Sequence, residues 1–364
     1  MTIFLVLALY LVFIQALVSE VKKMKKSFLA GLGFVLILVF RSPFCGMDVT
    51  GSSWTIMPES YAGVFLRISS FSIWEVLTDP QSVQGHMEVG WLLLTKIISL
   101  FTSNVQVFVA VIAILHIIPV SYIIGKYSKN VVLSYFVFAG LGFYIHYFSG
   151  IRQMLAVSVI LLAFDQLYQK RMIWFVLIVL LASTIHRSSL FFIIIWPLSR
   201  IRLSFLTSLL TIIVLIVLMP LYDSLVSVLI SLFFGEEYQN YIDNNAGGAL
   251  TMFVVYALFL LSSFVRKTND PLLQLLQVLV LVGVASQSLG VLSGGAITRI
   301  SFYFNIFLIF LLPEVLLSVE VSSRKIISSI AVILLCAFFV MTTTPVSSSG
   351  VVPYEFFWNN PVSD

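Results

Sequence analysis

Twelve long apolar runs constrain this chain more than any other feature. They lie near 2–18, 28–40, 104–125, 131–148, 151–168, 172–185, 188–199, 203–221, 249–265, 271–292, 300–319 and 326–342. About 20 apolar residues cross a hydrocarbon core as a helix, so a chain of 364 residues has room for about a dozen spans and little else. Only 10% of the residues are charged, against roughly 25% in soluble domains. These numbers exclude a soluble catalytic domain. Continuous runs also argue against a transmembrane barrel, whose strands alternate over about ten residues. The expectation is one integral, all-α polytopic membrane domain over residues 1–364, with about twelve transmembrane helices.

Orientation follows from the basic clusters. Lys22, Lys23, Lys25 and Lys26 form the first. Five pairs follow: Lys126 with Lys129, Lys170 with Arg171, Arg200 with Arg202, Arg266 with Lys267, and Arg324 with Lys325. All six favour the cytoplasm. They share it only if 41–103 begins and ends outside, so the weaker run 89–101, which carries Lys96, is expected to be re-entrant or interfacial. A second outer loop is expected at 222–248, with Glu236, Glu237, Tyr238, Tyr241 and Asp243. The first run reads as a span, because its lysines follow the apolar stretch rather than precede it.

This topology leaves Arg41, Arg67, Lys96, Arg152, Arg187 and Arg299 outside. Arginine suits bidentate capture of phosphate or carboxylate. Arg152, Arg187 and Arg299 each lie at or just before the start of an inward-running span, beside unpaired backbone N–H groups and the positive end of a helix dipole. Together they read as an external anion site. The ordinary alternative is that each snorkels to lipid headgroups or pairs with an outer acid such as Asp48, Glu59 or Glu88.

Four segments carry candidate chemistry. In Tyr147-Phe148-Ser149-Gly150-Ile151-Arg152-Gln153 a tight turn keeps the arginine near the membrane face, and Gln153 can hydrogen-bond an adjacent phosphate or sugar oxygen. Ile185-His186-Arg187-Ser188-Ser189 lies between short apolar runs, which recesses His186 below the outer surface and makes it a candidate general base. Ser293-Gly294-Gly295-Ala296-Ile297-Thr298-Arg299 is a candidate phosphate-cradling turn, with Tyr303 one turn further on. The segment 41–88 sets Asp48, Glu59, Glu75, Asp79 and Glu88 among Trp54, Tyr61 and Trp74, the mixture a sugar-binding surface uses. Each has a plainer reading as a turn, a satisfied histidine, a glycine loop or a solvated segment. No paired metal-ligand spacing, P-loop or nucleophile elbow occurs. The two cysteines, Cys45 and Cys336, suggest neither a disulfide nor a zinc framework. The net charge of +4 comes from short clusters, which argues against nucleic-acid binding.

Five blocks carry a resemblance. They are Arg41 with Gly46-Met47-Asp48 and Tyr61; Glu88-Val89-Gly90-Trp91-Leu92-Leu93-Leu94; Gly150 to Ala156; Ile185 to Ser189; and Arg299 with Tyr303-Phe304 and Leu312-Pro313. Together they resemble the EpsG-like group of bacterial polysaccharide polymerases, related in role to the Wzy O-antigen polymerases. This chain departs from the group in carrying Arg187 after the histidine, where a small residue is more usual. The resemblance implies a GT-C-like glycosyltransferase of the bacterial inner membrane. Such an enzyme passes a growing glycan from undecaprenyl diphosphate to the non-reducing end of a lipid-linked repeat unit on the periplasmic face. Donor, acceptor and membrane lipid are then its partners, with a chain-length regulator as a further one, and no cofactor or metal is implied. His186, Glu88 and Asp48 are the catalytic candidates. Arg152, Gln153, Arg187, Arg299 and Arg41 are assigned to the diphosphate, and Tyr303, Tyr61 and Trp91 to the sugars. A flippase for lipid-linked sugars and a membrane acyltransferase are the rival readings.

Overall fold

The computed structural model describes residues 2–18, 21–52, 55–218, 221, 249–264, 270–293, 295–343 and 350–359, and among these the regular secondary structure is all helix apart from one isolated β-bridge. The chain divides into two compact units. Met1–Leu190 with Ser329–Asp364 forms the first, and Phe191–Ser328 the second.

The first unit is built on α1 (Thr2–Leu17), α2 (Lys23–Phe40), α8 (Val105–Tyr127), α9 (Val131–Gly140), α10 (Phe143–Ser149), α11 (Ile151–Tyr168) and α12 (Met172–Ile185). Lipid offers no hydrophobic drive for helices to associate, so close approach and internal hydrogen bonds must hold them. Helices α2 and α8 meet through Gly31, where a Cβ would lie 2.1 Å from Ser121 Oγ. Around this contact Ser27 Oγ donates to Ser121 O at 2.7 Å, and Tyr135 OH bonds Ser121 Oγ and Ser27 O, each at 2.8 Å. Outward-facing Leu5, Leu9, Leu32, Ile118, Trp174 and Leu181 leave an apolar surface suited to acyl chains.

Four helices among the described residues are long and apolar enough to cross a membrane, or six if each of two bent pairs counts as one span. The protein is thus a polytopic membrane protein, and among the described residues six further apolar helices are shorter, at 10–17 residues. The breaks have local causes. The run 131–148 bends by 58° where Gly142 adopts φ 82°, and 300–319 bends by 49° between its two helices. The run 188–199 opens as a 3₁₀ segment, Arg187–Ile194.

Residues 41–103 fold into short helices: α3 (Met47–Thr50), α4 (Tyr61–Ile68), α5 (Ile73–Thr78), α6 (Pro80–Gln84) and α7 (Val89–Ser99). At about 1.5 Å per residue α7 spans roughly 16 Å, too short for a crossing. Glu75 forms a capping box with Ser72, and Asp79 accepts the Ser82 N–H to cap α6. Two of the acids expected on a sugar-binding surface therefore serve as helix caps.

Long-range contacts fix which helix ends are neighbours. Lys23 Nζ donates to Lys126 O at 3.0 Å and Lys126 pairs with Asp165 at 2.6 Å, which joins the start of α2 to the ends of α8 and α11. At the opposite end Gln106 Nε2 donates to Arg41 O at 3.1 Å, which joins the end of α2 to the start of α8. Arg41, Glu88, Arg152 and His186 lie at this second end. The segment 350–359 returns here, with Ser42 N–H bonded to Glu355 O at 2.8 Å and Arg41 bridged to Phe356.

The second unit contains α13 (Ile195–Leu198), α14 (Phe205–Leu218), α15 (Ala249–Ser263), α16 (Pro271–Ser293), α17 (Gly295–Asn305) and α18 (Leu308–Ser318). Buried polar pairs link its helices. Asn305 Nδ2 donates to Gln287 Oε1 at 2.7 Å, and Gln277 Nε2 donates to Ser262 O at 2.8 Å. Helix α19 (Val321–Thr343) runs from this unit's part of the chain into the first unit's. The expected loop 222–248, with its acids and tyrosines, lies outside the described residues, as do Trp54 and Gly294.

Candidate functional site

Glu88 is the residue on which the site converges. It occupies the N-cap of α7 in an extended conformation, and its side chain makes no capping bond. Instead its two oxygens face other elements. Oε2 pairs with Arg152 NH1 at 2.5 Å, while Oε1 accepts the Arg187 backbone N–H at 2.7 Å and stands 3.6 Å from His186 Nδ1. The carboxylate thereby ties together α7, the first turn of α11 and the end of α12.

Each neighbour is delivered by a local backbone event. Helix α12 ends at His186, which is extended (φ −151°, ψ 113°). The following 3₁₀ segment starts at Arg187, whose N–H has no intrahelical partner and therefore turns to Glu88. Gly90 lets α7 close on α12. A Cβ there would lie 2.2 Å from Thr184 Oγ1 and 2.6 Å from Thr184 O. Arg152 sits in the first turn of α11, immediately after the α10–α11 break at Gly150, and also donates to His86 O at 3.2 Å.

The electrostatics keep Glu88 ionised. Burial pushes its carboxyl up, but the His186 ring, the Arg152 charge and the Arg187 N–H together outweigh that and hold it below the usual carboxylate range. A carboxylate in this position is a weak base and a good orienter. Arg152 Nε is buried without a hydrogen-bond partner among the described residues. Among the described residues no group of three or more His, Cys, Asp or Glu could hold a metal ion.

The cations expected outside divide by partner. Arg41 is 2% exposed, and its NH1 donates to Cys45 O at 2.9 Å and Phe148 O at 2.5 Å. Burial lowers its pKa to about 10. Arg67 binds Val83 O and Gln84 Oε1, and Lys96 Nζ binds Ser69 O at the end of α4. These three hold protein groups, chiefly main-chain carbonyls. The Arg187 side chain is exposed and its backbone makes the contact with Glu88. Arg299 is exposed on α17 of the second unit, and Tyr303, one turn on, is fully buried.

Other candidates fall elsewhere. Trp91 is fully buried, edge-on to Tyr61 at 5.4 Å and to Phe108 at 6.2 Å, so it packs α7 onto α4 and α8. Gln153 is buried in α11, and Asp48 is exposed on α3, outside the contacts that Glu88 and Arg152 make. Sequence reasoning ranks His116 below His186 because it sits mid-span, yet its ring bonds the Ile151 carbonyl just before Arg152, and it misses Gly90 as the residue that admits the Glu88 contact. A mid-span histidine and a glycine two residues beyond an acid were the available signals.

The family model for the EpsG family matches residues 49–356, most of the chain. The chain belongs to the EpsG family. This is a Wzy-like polymerase family, which implies a glycosyltransferase-like polymerase. The match includes Glu88, Arg152, His186 and Arg299 and begins after Arg41 and Asp48. Neither the curated proteins nor the solved structures yield a match.

Proposed function

We propose that this EpsG-family protein is a polysaccharide polymerase of the bacterial inner membrane. It transfers a growing glycan from undecaprenyl diphosphate to the non-reducing-end hydroxyl of a lipid-linked repeat unit on the periplasmic face. The observation that carries the reading is the convergence of Arg152, His186 and the Arg187 N–H on Glu88 at one end of a membrane bundle. The lysines gathered at the opposite end support a periplasmic site, since basic clusters stay in the cytoplasm. The fold is taken as GT-C-like, with shorter apolar helices completing about twelve crossings.

In the reaction the acceptor oxygen attacks the anomeric carbon, the carbon–oxygen bond to the diphosphate breaks, and undecaprenyl diphosphate leaves. Charge grows on the leaving oxygens as the bond stretches. Arg152 meets that charge with a positioned cation, which stabilises the transition state without reorganisation. The acceptor hydroxyl loses its proton to His186. With Nδ1 facing Glu88, Nε2 is the ring nitrogen assigned to take it. Glu88 keeps the ring oriented and stabilises the imidazolium formed. Arg299 and Tyr303 belong to the second unit, and these steps use first-unit residues alone.

The test is reconstitution in lipid bilayers with a lipid-linked repeat unit as the only substrate. A ladder of longer glycans is expected. Recovery of the unit unchanged in length overturns the proposal, and its movement across the bilayer without lengthening favours a flippase.

A further inference from the structure

Two buried side chains grip the turn that presents Arg152. Helix α10 ends at Ser149, so the Phe148 carbonyl in its last turn lacks a partner within α10, and Ile151 opens α11. Arg41, at the end of α2, donates to Phe148 O at 2.5 Å on one side of Gly150. His116, within α8, bonds Ile151 O at 2.8 Å on the other side. A carbonyl can only accept, so His116 Nε2 carries the hydrogen. Both side chains are almost fully buried, at 2% and 1% exposure.

Each grip is doubled by a ring contact on the last turn of α10. The Arg41 guanidinium lies 5.1 Å from the centre of the Phe148 ring, and the His116 ring stands edge-on to Tyr147 at 4.9 Å. Gly46 lets the 41–46 loop come this close. It has φ 103°, and a Cβ there would fall 2.1 Å from Phe148 O. Two separate elements therefore hold the carbonyls flanking Gly150, from which Arg152 reaches Glu88.

We infer that His116 and Arg41 are positioning residues for Arg152: by holding the Ile151 and Phe148 carbonyls they fix the α10–α11 turn and so aim the guanidinium at the diphosphate. This rests on the polymerase reading for the identity of the anion. It also moves Arg41 from the diphosphate itself to the backbone that presents Arg152. Preorganisation of this kind matters because a misplaced cation loses transition-state stabilisation even when its charge remains.

The test uses His116→Phe, which keeps the ring on Tyr147 but cannot donate, and His116→Gln, whose amide restores a donor at similar reach. Amide exchange over 151–154 in the full-length protein reads the turn directly and needs no substrate. Binding of undecaprenyl diphosphate and kcat/KM for polymerisation read the consequence. Expected for His116→Phe are faster exchange at 151–154 and about tenfold loss of binding and kcat/KM, the effect of one hydrogen bond. His116→Gln should recover both to within about threefold. Combined with Arg152→Lys, His116→Phe should add little, because both changes act on one interaction. Unchanged exchange in His116→Phe overturns the inference, and so does a loss that multiplies with that of Arg152→Lys. Failure of the polymerase reading shows differently, as a parent protein that lengthens no glycan while the exchange result still decides the positioning role.

Discussion

Glu88→Gln separates the two roles a carboxylate at this site can have. The substitution keeps the side chain's size and an acceptor for the Arg187 N–H, but removes the charge facing Arg152 and His186. At 3.6 Å, a carboxylate and an imidazolium attract by about 4.6 kcal/mol at an effective dielectric of about 20. The two side chains are 21% and 17% exposed, and Arg152 draws on the same carboxylate, so about half of this, roughly 2–3 kcal/mol, is left for the ring as it takes a proton. At about 1.36 kcal/mol per tenfold, kcat should fall about 10²-fold. KM should not rise, because Arg152 freed from its partner is a stronger anion site. Steady-state polymerisation with varied repeat unit measures both. A kcat within about threefold of the parent refutes the orienting role, and a rise in KM at constant kcat makes Glu88 a substrate contact instead. Adding His186→Gln should cost little more, since the two residues act as a unit.

Stability should depend on pH through the same residue. Glu88 is held below its usual range, so its contribution is complete above about pH 4.3 and is lost as pH falls through the lower folded value. Thermal melts in bilayers should show a shallower acid limb for Glu88→Gln, and an unchanged limb contradicts the assignment. Gly90→Ala drives a methyl group into Thr184, including its backbone oxygen, so α7 must withdraw. It should cost about 1–3 kcal/mol and most turnover, and parental Tm and kcat together rule this packing out. Arg152→Lys should weaken undecaprenyl diphosphate binding about tenfold or more, whereas Arg67→Lys, at a guanidinium that holds protein groups, should not; equal losses in the two would remove Arg152 from the anion site. Cysteines at 24 and 86 should react with an impermeant reagent from opposite sides of the membrane, and labelling of both from outside would reverse the topology.

Much of the fold was legible because apolar length is a strong signal and connections between membrane helices are short. The run 151–168 became helix Ile151–Tyr168, 271–292 became Pro271–Ser293, and 89–101 became a helix too short to cross. Helix breaks were less legible. Nothing in the hydropathy of 131–148 separates the two sides of Gly142, because the bend is set by one left-handed residue rather than by polarity. Within the site, the sequence supplied Glu88, Arg152 and His186 as separate candidates. Pairing with an outer acid such as Glu88 was the ordinary alternative for every outer arginine, and Arg152 takes it; which arginine would do so was not legible, since Glu88 and Arg152 lie 64 residues apart and tertiary packing, with Gly90 admitting α7 to α12, brings them together. Arg41 shows the converse. An arginine at an outer helix end has the same sequence appearance whether it faces an anion or a carbonyl, and here it faces carbonyls.

That difference decides how a cationic membrane face should be read. Of the first unit's cations expected outside, Arg41, Arg67 and Lys96 are engaged by main-chain carbonyls, which take up their donors without neutralising a charge. Arg152 alone forms an ion pair with a carboxylate among the contacts described. The pairing looks wasteful for an anion site, since Glu88 weakens the attraction for any diphosphate. On the proposed reading, however, the enzyme must release undecaprenyl diphosphate after each transfer. A site of unopposed arginines would bind donor, transition state and leaving diphosphate alike, and such uniform binding adds nothing to the rate once the site is full. In the proposed mechanism a neighbouring carboxylate lowers affinity for the resting diphosphate while still supporting the imidazolium assigned to the transition state. On that reading Glu88 shifts the balance of the site from holding charge toward turning it over.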